Sequence, residues 1–475
     1  MQNTPLKSNR GVGTGSIILI VILVLIIIGI GYKLARNPAP TLVMREQVQG
    51  IGVNTPMTFE VRDPQYAIKK VQVDVLQNGK TYSMPLTRVK NLTPRGPSGW
   101  KLWSHKPANV FEVSARVGRK QAPALHAGHA TLVIAATNDS WGRFFRGGKA
   151  SIRKELPVRF APPQVDVLTT QHYINQGGCD MVLFKVSPGT TKSGVEVGKL
   201  FFPSFPVKES TPEIRLAVFS FPWNVDPSTP AHIVATDDAG NTTIANFDYK
   251  VFPKKFHEST LTLSPEFLNR VVPPIMAQSG IDDQGSILKN FLYINGHLRL
   301  QDAERLIEFS KQTNPTFYWT QPFIQLGNSK VEAYFADART YIYNSQVVDH
   351  QTHLGYDLAV VAHTPIPAAN DGKVVYAGWL DIYGNAAIID HGCGVQTLYG
   401  HMASIDVSAG DTVKRGQIIG RSDSTGLAGG DHLHFSVLLD GLPVNPTEWW
   451  DPHWIHDRIE AKLQPYQQSR VASAK

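Results

Sequence analysis

The sequence predicts a mostly β, multidomain chain: an N-terminal transmembrane helix, two β-sandwich domains, a small helical segment and a C-terminal antiparallel β-domain. Three observations predict it. A single unbroken aliphatic run, Ile17 to Ile28, stands near the N-terminus. Short alternating segments fill most of the chain beyond it, and the chain holds 39 Gly and 32 Pro, a composition that favours turns between short strands. Residues 255–315 change character and place apolar side chains at helical spacing. At 475 residues the chain is too long for one ordinary core.

The first element is the aliphatic run. Lys7 and Arg10 precede it without an acidic residue, and Tyr32, Lys33 and Arg36 come after it where a small-x-small cleavage site would stand. Residues 1–35 therefore read as a cytoplasmic tip and an uncleaved signal anchor, with Lys33 and Arg36 able to snorkel. Basic residues flank both ends, so the positive-inside rule decides orientation only weakly. Because the sequence has no second apolar run, the economical topology is a single pass with the bulk of the chain outside the cytoplasm.

Residues 40–160 alternate in strand fashion ("MTFEVRD", "KKVQVDVLQNGKTYSM", "ATLVIAATN") and read as a basic β-sandwich, with Asn78-Gly79 as a hairpin turn. Residues 61–160 hold 18 Lys or Arg against 5 Asp or Glu, a balance of +13, which leaves −6 for the rest of the net +7. Such a field attracts polyanions. The topology excludes nucleic acid and leaves cell-wall polymers or lipid headgroups. Pro162-Pro163 marks a junction. Residues 161–254 read as a second sandwich, closed by "AHIVATDDAGNTTIANFDYKV". That piece resembles the closing hairpin of bacterial immunoglobulin-like domains, which implies fold and not activity. Residues 255–315 read as a helical linker with Ser264 and Asp302 as N-caps. Residues 316–450 return to strands, and 451–475 form a polar tail. The two cysteines, Cys179 and Cys393, are expected to be unpaired, with Cys393 in a surface turn.

Chemistry concentrates in residues 316–450. In a strand, positions two apart share a face. His353, Gly355 and Asp357 of "HLGYD" would then put an imidazole and a carboxylate on one wall, and His432 and His434 two more imidazoles. His401 stands in "LYGHM". Two His and one Asp satisfy a catalytic zinc site, which takes three protein ligands and leaves a fourth position for water. His391 reads as a structural turn residue, His363, His453 and His456 as surface residues, and Trp449 and Trp450 as packing.

The order and spacing of "HLGYDLA", "GKVVYAG", "YGNAAIIDHG", "TLYGHM", "GDTVKRGQIIGRSDSTG", "GGDHLHFSV" and "PVNPTEW" closely resemble the lysostaphin-type (LytM-like) zinc endopeptidases. The resemblance runs from about Tyr318 to Trp450 and departs only at Ser422-Asp423-Ser424, where that family has a Gly-rich turn. It implies a small antiparallel β-domain with one Zn²⁺ per chain held by His353, Asp357 and His434, and with His401 and His432 as catalytic residues. It further implies an endopeptidase of peptidoglycan stem peptides or cross-links; taken with the N-terminal anchor read above, the expected location is the bacterial inner membrane, with the bulk of the chain in the periplasm. The partners implied are peptidoglycan, the cytoplasmic membrane and envelope protein regulators. The alternative is a catalytically silent member that binds the wall and activates other hydrolases. The stretch before the first motif, with Asn328, Glu332, Asp337 and Asp349, reads as ordinary strands of the catalytic fold or, alternatively, as a plug for the open metal position.

Overall fold

The computed structural model describes residues 14–92 and 109–467. The expected cytoplasmic tip with Lys7 and Arg10, and the last residues of the tail, lie outside the described residues. The chain is mostly β and divides into two compact units, residues 1–162 with 236–241, and residues 163–235 with 242–475.

The first unit begins with the helix Thr14–Ala35. Over Ile17–Ala35 its mean hydropathy is 3.0 and none of it is buried. It is long and apolar enough to cross a membrane, compatible with a signal anchor or a membrane span. Two four-stranded antiparallel sheets come next. One runs in the order Thr41–Met44, Thr55–Asp63, Asn109–Val117, Leu86–Asn91, and the other Lys80–Met84, Ile68–Gln77, Gly128–Asn138, Lys149–Val158. Alternation sets the core between them: Phe59, Val61, Val75, Val113, Ile134 and Val158 are buried. The Asn78-Gly79 hairpin forms as its residue types require, with φ of 51° and 73°.

In the second unit, Phe205–Pro206, Ile214–Ser220, Cys179–Val186 and Val165–Val167 form one sheet. Leu200–Pro203, Thr190–Val197, Ala231–Asp237 and Thr242–Ala245 form another. Their apolar core is continuous with that of the C-terminal β-domain. Glu448 joins the two, its carboxylate accepting the Cys179 backbone N–H at 2.8 Å. The expected polar tail departs from that reading. Residues 452–467 are helical, Ile455, Ile459 and Leu463 are buried, and Lys462 pairs with buried Asp180. The polarity that hid this helix belongs to its outer face.

The helical segment is also more than a linker. Strand Glu258–Thr262 pairs in parallel with Asp337–Tyr343. Helix Pro265–Ser279 starts at Ser264, whose hydroxyl accepts the Phe267 N–H as expected of a cap, and ends at left-handed Gly280. Asp302 is not a cap. The next helix starts at Ser286 and runs from Ile287 through a π-turn to Ser310. Asp302 therefore lies inside it, buried, accepting the Ile382 N–H at 3.1 Å. Leu268, Val271, Val272, Ile275 and Phe291 share one core with Tyr341 and Ile382 of the β-domain.

The β-domain is built on the sheet order Lys330–Ala333, Tyr356–Ala359, His432–Leu439, Val395–Gly400, Asn385–Gly392, Gly372–Trp379, Thr412–Val413. Cys393 is a correction: its turn is covered, and the thiol is 1% exposed near the Pro315 carbonyl. Neither cysteine is paired. His391 is a fully buried structural residue. Its Nδ1–H donates to the Asp371 carbonyl at 2.8 Å and its Nε2 meets Thr397 Oγ1 at 2.7 Å.

Burial pushes the His391 imidazole down from its ordinary 6.5 to about 4. Its contribution to stability is therefore whole above about pH 6.5 and is lost as pH falls toward 4. The native chain should give up as much as about 3 kcal/mol of its advantage over His391→Gln across that window. Urea unfolding of both chains at each pH checks this, and parallel pH profiles would contradict it.

Candidate functional site

The register of three strands assembles the site. Asp357 lies opposite His434, Ala359 opposite His432, and Gly400 opposite His434, so His401, the next residue, arrives beside the His-x-His pair. His432 and His434 share a face of one strand, as alternation requires. His353 and Asp357 meet for a different reason than alternation within one strand. His353 ends the strand Gln346–His353, paired with Asp337, and the chain then enters the larger sheet at Tyr356. Gly355 sits at that crossing because the His434 ring occupies the space: a Cβ there would stand 2.6 Å from it.

The five expected residues come together. Asp357 Oδ1 lies 2.9 Å from His353 Nε2, 3.0 Å from His434 Nδ1 and 3.4 Å from His432 Nε2. His353 Nε2 and His434 Nδ1 are 3.1 Å apart. The other ring nitrogens are committed. His353 Nδ1–H donates to the Tyr334 carbonyl at 3.0 Å. His434 Nε2–H donates to Ser436 Oγ at 3.0 Å, because the Ser436 hydroxyl proton is used on the Leu354 carbonyl. In the neutral imidazoles, the atoms facing one another are therefore three lone-pair donors with no proton between them. A tetrahedral cation with bonds of about 2.0–2.1 Å has ligand–ligand edges of about 3.3 Å, close to the separations found. Nitrogen and carboxylate donors backed by second hydrogen bonds suit zinc. Among the described residues, His353, Asp357 and His434 form the one group of three with metal-holding geometry.

His401 and His432 stand beside this group, their rings 4.7 Å apart. Each commits Nδ1–H to a backbone carbonyl, Thr425 at 2.7 Å and Gly430 at 2.8 Å; His401 Nε2 is left for the cleft, and His432 Nε2 stands 3.4 Å from Asp357 Oδ1. His401 is held at φ 63°, a left-handed conformation costly for a residue with a side chain, of the kind that collects at functional sites.

The electrostatics derive from burial and from Asp357. Burial alone would push the Asp357 carboxyl up, but His353, His432 and His434 hold it well below the usual carboxylate range. Burial lowers His434 to about 4. It also takes His401 well down, with His432 and His434 adding to the effect. On His432 burial is outweighed by the hydrogen bond and charge of Asp357, and its value rises.

Two residues of the site are not singled out by the sequence reading, although Tyr383 opens one of its motifs. Arg339 donates from Nη2 to Asp357 Oδ2 at 3.0 Å, so one carboxylate oxygen faces the imidazoles and the other an arginine. Tyr383 packs its ring 5.2 Å from that of His434. Nothing in the spacing marks Arg339, because it reaches Asp357 from a strand of a different sheet. The stretch containing it supplies the strands Lys330–Ala333, Asp337–Tyr343 and Gln346–His353. Asp337 is engaged by His257 and Ser259, and Asp349 by Asn295. Among the remaining histidines, His363, His453 and His456 are exposed and away from this group, and Trp449 is buried packing.

All five residues line a cleft of about 560 Å³. Phe267 and Arg270 of the helix Pro265–Ser279 form part of its wall, and Arg270 reaches the Gly429 carbonyl at 2.6 Å. An open cleft holding a lone-pair cluster and two spare imidazoles can bind a cation and move protons over it.

Residues 351–446 match the model of Peptidase family M23. The DD-carboxypeptidase/endopeptidase Mpg of Neisseria meningitidis serogroup B is 42% identical over 95 residues, 20% of this chain and 22% of that one. The peptidoglycan DD-endopeptidase ShyA of Vibrio cholerae is 41% identical over 93 residues, again 20% and 22%. The murein hydrolase activator EnvC of Escherichia coli is 35% identical over 107 residues, 22% and 26%. The chain thus spans about a fifth of the length of the curated relatives it matches. Its C-terminal part carries a peptidase M23 domain of the LytM/lysostaphin type.

The donor geometry predicts about one divalent cation per chain. His353→Ala and Asp357→Ala should each lose most of it. Gly355→Ala should lose it too by displacing the His434 ring, and His363→Ala should keep it. Elemental analysis of the purified chains checks this, and full occupancy in both His353→Ala and Asp357→Ala would remove the donor assignment.

Proposed function

We propose that the chain is a zinc-dependent endopeptidase that cleaves peptide bonds in peptidoglycan stem peptides or cross-links. The observation that carries this reading is the convergence of His353, Asp357 and His434 inside an open cleft, with two further imidazoles beside them. The relative named a peptidoglycan DD-endopeptidase supports the substrate class, and the one named a DD-carboxypeptidase/endopeptidase supports the reaction.

His353, Asp357 and His434 would hold the zinc. When bound, it supplies a Lewis acid for the scissile carbonyl and an acidified water at neutral pH. The chain's own groups do the rest. His401 and His432 present Nε2 to the cleft; one accepts the proton of the attacking water and returns it to the departing amine, and the other donates to the oxyanion. Arg339 keeps Asp357 Oδ2 occupied and so leaves Oδ1 to the metal side. The wall from Pro265–Ser279 narrows the cleft to an extended peptide. The helix Ile17–Ala35 would anchor the chain in the cytoplasmic membrane as a single pass, with the bulk on the periplasmic side, where peptidoglycan lies.

A second reading is supported by the match to the protein named a murein hydrolase activator: a silent module that binds the wall and activates other hydrolases. The two readings separate on activity of the isolated chain. Sacculi incubated with the full-length chain should release peptide-cleaved fragments, detected by mass spectrometry, and a chelator should abolish the release. Undiminished sacculi with a zinc-loaded chain would favour the silent reading. His401→Ala and His432→Ala should each keep the metal and lose turnover by about a hundredfold or more. Loss of metal in either would mark it as a ligand instead.

A further inference from the structure

The turn Trp141-Gly142-Arg143-Phe144-Phe145-Arg146 in the first unit has no part in the chemistry above. Its three aromatic side chains are the opposite of core: Trp141 is 61% exposed, Phe144 69% and Phe145 68%. Trp141 and Phe145 stand together, ring centroids 6.1 Å apart. Arg143, Phe144 and Phe145 all have left-handed backbone, φ 54°, 55° and 67°. That conformation is unfavourable for bulky residues and persists only where the surroundings impose it. Here the turn closes on itself, Phe145 N–H to the Trp141 carbonyl at 3.2 Å and Gly147 N–H to the Gly142 carbonyl at 3.1 Å. The strain thus serves a conformation that turns apolar rings outward. Exposed apolar patches of this kind mark interaction surfaces.

The surroundings identify the partner. The turn is stitched to the exit of the apolar helix Thr14–Ala35. Arg143 N–H donates to the Arg36 carbonyl at 2.9 Å. Asn37 and Lys149 exchange two hydrogen bonds, and the Asn138 amide donates to the Pro38 carbonyl at 2.6 Å. Gly142 admits this approach, since a Cβ there would stand 2.4 Å from the Arg36 oxygen. The aromatic turn is therefore fixed within a few residues of the helix end. The 19 residues Ile17–Ala35 rise about 28 Å as a helix, close to the thickness of a bilayer's hydrocarbon core at about 30 Å. A turn tied to Arg36 then lies at headgroup level. Its charges suit that level: Lys33, Arg36, Arg146 and Lys149 are exposed around it, and no Asp or Glu occurs between Asp139 and Glu155.

We infer that residues 141–146 are a membrane foot, which inserts Trp141, Phe144 and Phe145 into the interface of the bilayer that the N-terminal helix enters and sets its arginines against anionic headgroups. Aromatic rings with flanking Arg and Lys are the side chains that such interfaces select. The inference rests on the reading of the helix as a membrane anchor and is independent of the peptidase activity. Its consequence is that the first unit is held to the membrane at two points, with a fixed orientation, and does not swing from a single flexible tether.

The test uses the full-length chain in phosphatidylethanolamine–phosphatidylglycerol vesicles. Cys179 and Cys393 are 0% and 1% exposed, so a thiol-reactive, polarity-sensitive fluorophore reports on an introduced cysteine. Phe144→Cys and, separately, Phe145→Cys are compared with Lys80→Cys in the exposed Asn78-Gly79 hairpin. Labels at 144 and 145 should be blue-shifted, and brominated acyl chains should quench them at least about twofold more than the label at 80, as expected for interfacial burial. Flotation separates the two readings. A chain that fails to float with the vesicles overturns the anchor and the foot together. A chain that floats while the labels at both 144 and 145 behave like that at 80 overturns the foot alone. Protection that brominated lipid does not touch would indicate a protein partner or a second copy and also overturns it.

Discussion

The second unit depends on how one carboxylate is shared. Asp357 is largely withdrawn from water, where an unpaired charge would be expelled or neutralised. It stays ionised because Oδ2 receives Arg339 and Oδ1 faces three imidazoles. Neither side suffices alone. Without the arginine, the carboxylate could turn both oxygens to the imidazoles. Without the imidazoles, it would be an arginine partner like many others. The division fixes which oxygen is offered to the cleft and makes the arrangement a site rather than a buried ion pair.

That constraint reaches well beyond the segment that carries the family likeness. Arg339 precedes residues 351–446, and its own position is secured by Asp337, which contacts it at 3.4 Å and accepts hydrogen bonds from His257 and Ser259. Ser259 lies on the strand Glu258–Thr262, paired in parallel beside Asp337–Tyr343. The same segment leads into the helix that walls the cleft, and that helix shares its core with Tyr341 and Ile382. Residues that read as a connector between domains thus hold a donor in place and narrow the opening above it. Packed cores do not deform continuously, so a wall built into one is better suited to selecting what enters than to swinging aside.

The five central side chains are legible in the sequence because each sits in a short motif with its own periodicity or loop signature. His432 and His434 obey the two-residue repeat of a strand, and their pairing partners fall out of the register. The same rule reaches the right residues at His353 and Asp357 by the wrong route, since the chain changes sheets between them. Arg339 is illegible for a physical reason: a side chain whose partner lies on another sheet leaves no trace in local spacing. Asp302, a cap by its residue type, is instead a buried acceptor for Ile382, because the helix continues through a π-turn that local pattern does not announce. Ser264 shows the contrary case, where the cap is a strictly local interaction and the sequence carries all of it.

Burial, not composition, separates two segments that the sequence ranks in the opposite order. Residues 451–467 look polar, yet Ile455, Ile459 and Leu463 are spaced four apart and find a complementary apolar surface, with Lys462 seated on buried Asp180. Residues 141–146 enter the sequence reading only through their charge, yet their aromatic rings have no protein surface to cover them among the described residues. A side chain's hydrophobicity states what it gains on leaving water, and the fold decides whether the protein supplies the place. Where a strained turn holds three aromatic rings outside the core of its unit, and hydrogen bonds pin that turn to the end of an apolar helix, the apolar phase proposed for the helix would serve both. In the proposed membrane foot the basic charge of the first unit would act with those rings: cations would bring it to an anionic surface at long range, and the aromatic side chains would fix it there at contact.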